Sequence, residues 1–495
     1  MLKFLKECLK SSETKNIFIL FFIFILSRLI FWLMGVHFSS YTSLAAYWQF
    51  LDIDILKNDL VRGCFYMHSQ PPLFNFFLGS IIKIFPNSFM HAIHTVYLLF
   101  GMVICVCIYK ILKLNGFSSA IAMAAAAIFI LSPNMLLIEN WIFYTYPVAM
   151  LLLLAAYCLY NYSYSRKTFY GVLFFVFIGL LFLTRSSFHL IFIFPAILLF
   201  MILNTKNIRI YTAAGLVTAV VLGLYVKNFI IVGNFGPSSW MGMSLWKPVV
   251  SYVSPQKINE LVSKGFIPRI ADYNIFSPIS KYPAEYAQIP LRYKNIPALS
   301  QEYKASNAPN YNHYGYAGIS KEYMHASKYL IKNLPGVYIK AFVHSWALYF
   351  SPSVNYFRAC VEKDNCEILS KYFKIYLCAG FWRERYFIDV DKYAISAKHT
   401  LYPLTSVLFI PLIMFIIFIR AAADIVRAKR SGQPVDAGFL FMVLAVFYVA
   451  VVGNFIDVGE NNRFRMETDP LLFLAILISI KPAALAVYSK FKSVK

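Results

Sequence analysis

IFILFFIFILSRLIFWLMGV, from Ile17 to Val36, carries one charged residue, Arg28, in twenty positions. Crossing the hydrocarbon core of a bilayer takes about 20 consecutive apolar residues in helical form. Ala120–Ile138 and Ile210–Val232 have the same character. The whole chain of 495 residues is 59% hydrophobic, 18% aromatic and only 14% charged. A soluble domain of that balance would expose large apolar patches and aggregate, whereas acyl chains are a good solvent for the same side chains. The sequence therefore predicts an all-α polytopic membrane protein.

Working outward, about ten apolar stretches approach bilayer length. They lie near residues 17–36, 90–109, 120–138, 141–160, 169–184, 187–203, 210–232, 402–419, 437–456 and 470–488. The net charge of +23 reflects 46 Lys and Arg against 23 Asp and Glu. Much of the excess sits in short segments beside apolar runs, which favours a topology signal and headgroup contact over nucleic acid. Lys110 and Lys113, Arg166 and Lys167, Lys206 and Arg209, the group Arg420, Arg427, Lys429 and Arg430, and the closing Lys481, Lys490, Lys492 and Lys495 mark cytoplasmic loops. With an internal N-terminus and ten crossings, all of them fall inside, as does the C-terminus. Lys3, Lys6, Lys10 and Lys15 precede a run too long for a cleaved leader, so 17–36 is expected to be a retained signal anchor. Leu73–Phe85 must then not cross. It is short, flanked by Pro71, Pro72 and Pro86, and carries Lys83, which suits an interfacial or re-entrant helix.

Three parts follow: an N-terminal transmembrane module, 1–232, with a first outside loop at 37–89; a large, mixed extracytoplasmic region, 233–400; and C-terminal transmembrane helices, 401–495. A loop as long as 233–400 is usually functional. Gly336–Phe350 within it is amphipathic enough to lie against the membrane. Cys360 and Cys366 flank a short polar stretch and form either a disulfide or two free thiols, according to compartment.

Five polar segments reach one membrane boundary in this topology. Asp52, Asp54 and Asp59, followed by His68-Ser-Gln70-Pro-Pro-Leu, place carboxylates where partial desolvation raises their pKa toward general-base work, or form an ordinary solvated turn. Glu139, in Glu139-Asn-Trp-Ile-Phe-Tyr144, binds a ligand hydroxyl or points to water. Arg185, in Leu183-Thr-Arg-Ser-Ser-Phe-His189, and Lys227 are costly cations at membrane depth, and Arg forks suit a lipid-linked phosphate; the alternative is snorkelling to headgroups. Glu460-Asn-Asn-Arg463-Phe-Arg465-Met-Glu-Thr-Asp469-Pro470 opens the last span. Its two arginines share a side if the stretch is extended, and are otherwise interfacial anchors. Trp240, in Gly233-Asn-Phe-Gly-Pro-Ser-Ser-Trp-Met-Gly-Met, stacks on a sugar or sits in the headgroup belt. No CxxC pair, HExxH, Walker loop or dinucleotide fingerprint is present, and His91 and His94 lack partners at ligand spacing, so no metal or cofactor is required by the sequence.

Taken in order, these segments resemble the GT-C type integral-membrane glycosyltransferases, the class of the protein O-mannosyltransferases and the lipid A aminoarabinose transferase. The resemblance rests on His68-Ser-Gln-Pro-Pro-Leu73 after an acidic first loop, and on Arg463-Phe-Arg465-Met-Glu-Thr-Asp469-Pro470 before the last span. It implies a polyprenyl-phosphate-linked sugar donor, a glycan, lipid or protein acceptor, and inverting transfer outside the cytoplasm of a plasma or inner membrane. An aspartate would serve as base and cations would hold the departing phosphate. Where relatives carry a carboxylate at the start of the first loop, this chain reads Ser39-Ser-Tyr-Thr-Ser, so the implied base moves to Asp52 or Asp54, with Asp59 in reserve. Arg185, Lys227, Arg463 and Arg465 become the implied phosphate ligands. His68, Gln70, which stands where relatives often have Lys, Glu139, Trp240 and Glu460 become substrate-positioning groups. The rival classes are a lipid-linked glycan transporter or flippase, which often shows inverted repeats not seen here, and a non-catalytic glycan-binding relative.

Overall fold

A computed structural model describes residues 12–350, 363–376, 404–432 and 435–493. Helices occupy each of the ten apolar stretches: Ser12–Leu33, Phe89–Leu114, the pair Ser119–Ile130 and Pro133–Glu139, Thr145–Ser165, Thr168–Thr184, Ile193–Ile202, Ile208–Val232, Leu404–Ser431, Ala437–Ile456 and Asn461–Ser493. Five are long and apolar enough to cross a membrane, namely Ser12–Leu33, Phe89–Leu114, Thr145–Ser165, Ile208–Val232 and Ala437–Ile456; the bent pair makes six. Among the described residues, length and apolarity together thus support five or six crossings against the ten expected. Thr168–Thr184 stops at 17 residues and Ile193–Ile202 at 10. The helix Leu73–Ile84 has 12 residues, about 18 Å of rise, too short to span.

The bend in the third stretch has a local cause. Ser119–Ile130 is alanine-rich and helical by propensity. Pro133 then takes the first position of a new helix, and the Ser132 hydroxyl accepts from the Met135 amide at 3.4 Å. The axis turns by 58°. That turn brings Glu139 to Arg28, whose guanidinium donates to both carboxylate oxygens at 2.8 and 2.7 Å; the Tyr146 hydroxyl donates at 2.7 Å. A Cβ at Gly101 would lie 2.5 Å from Glu139 Oε2, so this packing requires glycine there.

The two ends of the bundle differ in chemistry. At one end, Arg166 donates to the Leu203 carbonyl at 2.7 Å, Lys481 donates to the carbonyls of Asn115 and Gly116 at 2.6 and 3.0 Å, and Lys110 pairs with Glu13. The basic loops therefore gather on one face, as the charge pattern requires.

The opposite end carries the two inter-helix regions. The first loop forms the short helices Tyr41–Ala46, Ile53–Asn58 and Leu60–Phe65 ahead of Leu73–Ile84. The region after residue 233 is built from helices and 3-10 turns, with no strand among the described residues, so the mixed region expected from sequence is helical as far as it is described. It has its own core of Trp246, Ile279, Tyr316, Ile319 and Tyr323, onto which Trp48 of the first loop packs. Met241–Val250 lies so close to Gly315–Asn333 that a Cβ on Gly242 would sit 1.8 Å from the Ser320 carbonyl. Pro335–Tyr349 packs along Ala437–Ile456 and Asn461–Ser493. Cys360 and the Cys366 side chain lie outside the described residues.

Candidate functional site

A cavity of about 550 Å³ opens at the end of the bundle away from the basic loops. Helix termini build its walls. Tyr144 precedes Thr145–Ser165, and Arg185 ends Thr168–Thr184 in extended backbone. Gly233, at φ +66°, stops Ile208–Val232 in the left-handed conformation and releases the loop Asn234–Trp240 across the opening. Asp457 ends Ala437–Ile456, and Glu460 stands just before Asn461–Ser493.

Two guanidinium groups meet on one phenol. Arg185 donates to the Tyr144 oxygen at 2.6 Å and Arg463 to the same oxygen at 3.3 Å. Arg185 lies 2.9 Å from a Glu467 oxygen, and Arg463 donates to Glu460. The guanidinium carbons lie over the rings of Tyr144 and Phe464, 4.9 to 5.6 Å from their centres. All of this is buried: Arg185 is 5% exposed, Arg463 3% and Glu467 0%. Cations this deep need counter-charge, which Glu467 and Glu460 supply. On the far wall Lys247 pairs with Asp457 at 3.0 Å and stands 5.4 Å from the centre of the Phe276 ring. Burial pushes the Asp457 carboxyl upward, against the pull of Lys247. Lys321, exposed at the rim, has no carboxylate partner among the described residues. Among the described residues the cavity is lined by four basic side chains, Arg185, Arg463, Lys247 and Lys321, and by the carboxyl groups of Glu460 and Asp457, with Glu467 paired to Arg185 outside the lining. Serines 186, 187, 238, 239, 244 and 320 supply hydroxyls between them.

Of the residues expected from sequence, Arg185, Arg463, Gln70, Trp240 and Glu460 share this cavity. Trp240 is 5% exposed and gives its indole N–H to the Tyr311 carbonyl at 3.0 Å, so it belongs to the wall's packing and not to a headgroup belt. Arg465 departs. Residues 461–470 are helical, which puts positions two apart about 200° around the axis. Arg465 therefore turns to the Tyr349 carbonyl at 2.9 Å and to Asp469 at 3.2 Å.

His68 and Lys227 stand behind the cavity and hold its wall. The amides of His68 and Ser69 both donate to the Asn312 side-chain oxygen, at 2.8 and 3.0 Å, and His68 Nδ1 lies 2.7 Å from the Ser239 hydroxyl. Lys227 donates to the Met67 carbonyl. Burial, with Lys227 nearby, pushes the His68 imidazole down to about 3, so it is neutral at physiological pH. Gln70 emerges from this splint and accepts from Ser186 at 3.1 Å.

Glu139 faces Arg28 and not the cavity. Asp52 caps the helix Ile53–Asn58: one oxygen accepts from the Asp54 amide at 2.9 Å and the other from the Ala305 amide. Asp52, exposed Asp54 and Asp59 line a separate, shallower depression with Glu302 and Lys304. Among the described residues no cluster of three or more His, Cys, Asp or Glu is arranged to hold a metal ion. Sequence reasoning did not single out Tyr144, Trp48, Lys247, Asp457 or Lys321. Asp457 had a local signal, the abrupt change from an apolar run to Asp457-Val-Gly-Glu460. Trp48 had none.

Residues 69–230 match the family model for dolichyl-phosphate-mannose-protein mannosyltransferase. The matched segment starts within His68-Ser-Gln-Pro-Pro-Leu, takes in Gln70, Tyr144 and Arg185, and covers about a third of the chain. No curated protein and no solved structure matches the chain. The match supports a membrane glycosyltransferase of GT-C type.

Proposed function

We propose that this membrane protein transfers a sugar from a polyprenyl-phosphate-linked donor to an acceptor hydroxyl on a glycan, lipid or protein, at the extracytoplasmic edge of a plasma or inner membrane with both termini in the cytoplasm. The observation that carries the proposal is the meeting of Arg185 and Arg463 on Tyr144 in a cavity at the bundle end opposite the basic loops.

The donor's phosphate sits against the two guanidinium groups and within reach of Lys321, where planar N–H forks match its oxygens. The acceptor oxygen attacks the anomeric carbon from the face opposite the phosphate, and its proton passes to a carboxylate. The bond between that carbon and the phosphate oxygen breaks, and the released electron pair stays on the phosphate. Arginine charge stabilises this leaving group more strongly as its own charge grows, which is the condition for catalysis. Inversion follows from the single displacement. With cations meeting the leaving group, the chemistry as written needs no metal or cofactor.

For the base, Asp457 is preferred. It lines the cavity, and its carboxyl is raised toward a useful range. Asp52 would first have to release the amides of Asp54 and Ala305. The test is sugar transfer in membranes supplied with polyprenyl-phosphate-linked sugars. Asp457→Asn is expected to abolish transfer, while Asp52→Asn and Asp54→Asn retain it. Full activity of Asp457→Asn would remove that residue as base, and loss in Asp52→Asn with a preserved fold would return the role to the first loop.

A further inference from the structure

One wall of the cavity is unused by this chemistry. Trp48, half-buried, reaches the cavity from the first loop, with its ring centre 5.3 Å from that of Phe276 at a 30° tilt and 4.7 Å from that of Tyr311. Trp240 meets Phe276 edge-on at 5.4 Å. Phe276 itself is held at φ +55°, a left-handed conformation that crowds the Cβ of a bulky residue against its own carbonyl. Three aromatic rings and a hydrogen bond from the Tyr311 hydroxyl to the Phe276 carbonyl keep it there. Strain of this kind persists only where the surroundings over-determine it, and it clusters at ligand sites.

The wall's position says which part of a ligand it meets. Lys247 bridges it to the chemistry, standing 5.4 Å from the Phe276 ring centre and 3.0 Å from Asp457. The guanidinium pair lines the same cavity. Beside the rings stand Gln49 and Ser244, so flat apolar faces alternate with hydrogen-bonding groups. A pyranose has the complementary surface: a face of C–H bonds that packs on an aromatic ring, and a rim of hydroxyls that needs amides and hydroxyls. A polyprenyl tail has no use for the polar half, and a phosphate none for the rings.

Resting on the transfer reaction proposed above, we infer that Trp48, backed by the strained Phe276, is the stacking wall for the sugar ring of the donor and a determinant of sugar specificity. Phosphate and sugar are then read at separate sides of one cavity, by guanidinium groups and by aromatic faces.

Separating the two contributions requires two ligands. The purified full chain in lipid nanodiscs is titrated with bare polyprenyl phosphate and with its mannosyl and glucosyl esters. The wild-type chain is expected to bind at least one sugar ester more tightly than the bare lipid. Trp48→Ala should weaken that ester about tenfold and leave the bare lipid unchanged, while Trp48→Phe, which keeps a ring, recovers most of the loss. Retained binding of the bare lipid shows that the alanine variant is folded. Equal losses for both ligands, no loss for either, or a wild type that does not prefer any sugar ester would each overturn the inference. Failure of the bare lipid to bind the wild type would instead strike at the transfer reaction itself.

Discussion

Two groups of buried arginine lie in the same bundle and do different work. Around Arg28 each guanidinium nitrogen is met by protein: two bonds to Glu139, one to Ser27 and one to the Ile130 carbonyl, with Tyr146 completing the carboxylate. Around Tyr144, two arginines share one phenol oxygen, each has a carboxylate partner, and both line a cavity. The first arrangement ties the Ser12–Leu33 helix to its neighbours. The second sets two guanidinium groups at the wall of a cavity. Burial of a cation in a membrane protein therefore does not by itself mark a site; the distinguishing feature is a cavity that the cations line.

Mutations can break that contrast. Arg28→Leu strands a buried carboxylate and should cost about 3–5 kcal/mol. Thermal unfolding reads this as a large loss. The double variant Arg28→Leu/Glu139→Leu should recover most of it and keep sugar transfer, and an inactive but stable double variant would draw this pair into the site. Arg463→Gln is expected to lower transfer about hundredfold, since a donor aimed at developing charge is lost, with a smaller effect on melting than Arg28→Leu because Glu460, unlike Glu139, lines the cavity. Comparable melting losses would erase the distinction. Tyr144→Phe removes the shared acceptor and lets the guanidinium groups separate; transfer should fall about tenfold, measured at saturating donor so that positioning is read apart from binding.

The smallest effect sharpens the comparison through pH. His68 has its imidazole lowered to about 3 when folded, while the unfolded chain titrates near ~6.5. Above that value both states are neutral and nothing is lost. As pH falls below it, the unfolded state takes up a proton that the native state refuses, so stability declines from near 6.5 toward 3. His68→Gln should flatten this decline in melting curves between pH 7 and pH 5 (an interval of roughly two units within that window), and an unchanged slope would mean that other groups set it.

The helical stretches were legible because twenty apolar residues in a row admit few other structures, and because basic loops mark one face. Arg185, Arg463 and Gln70 were legible for a related reason: polar groups at the ends of apolar runs need a purpose. Arg465 was not, since its direction depends on whether residues 461–470 are extended or helical, and alternate positions share a side only in the first case. Asp52 illustrates a different difficulty. Its second oxygen is taken by an amide 253 residues further along, which no local pattern announces. Trp48 likewise meets Phe276 only through the fold, whereas Asp457 had a local signal in the sharp end of its apolar run but its partner Lys247 lies 210 residues away.

The shared phenol has a consequence for how the chain is made. Tyr144 and Arg463 are 319 positions apart, and Glu467, the counter-charge of Arg185, arrives with the last helix. During synthesis Arg185 must wait without that carboxylate while most of the protein is still being translated, a state tolerable only near the headgroups. The cavity is thus among the last features to form, and a chain cut short before residue 463 lacks both the second guanidinium group on Tyr144 and the carboxylate that pairs with Arg185.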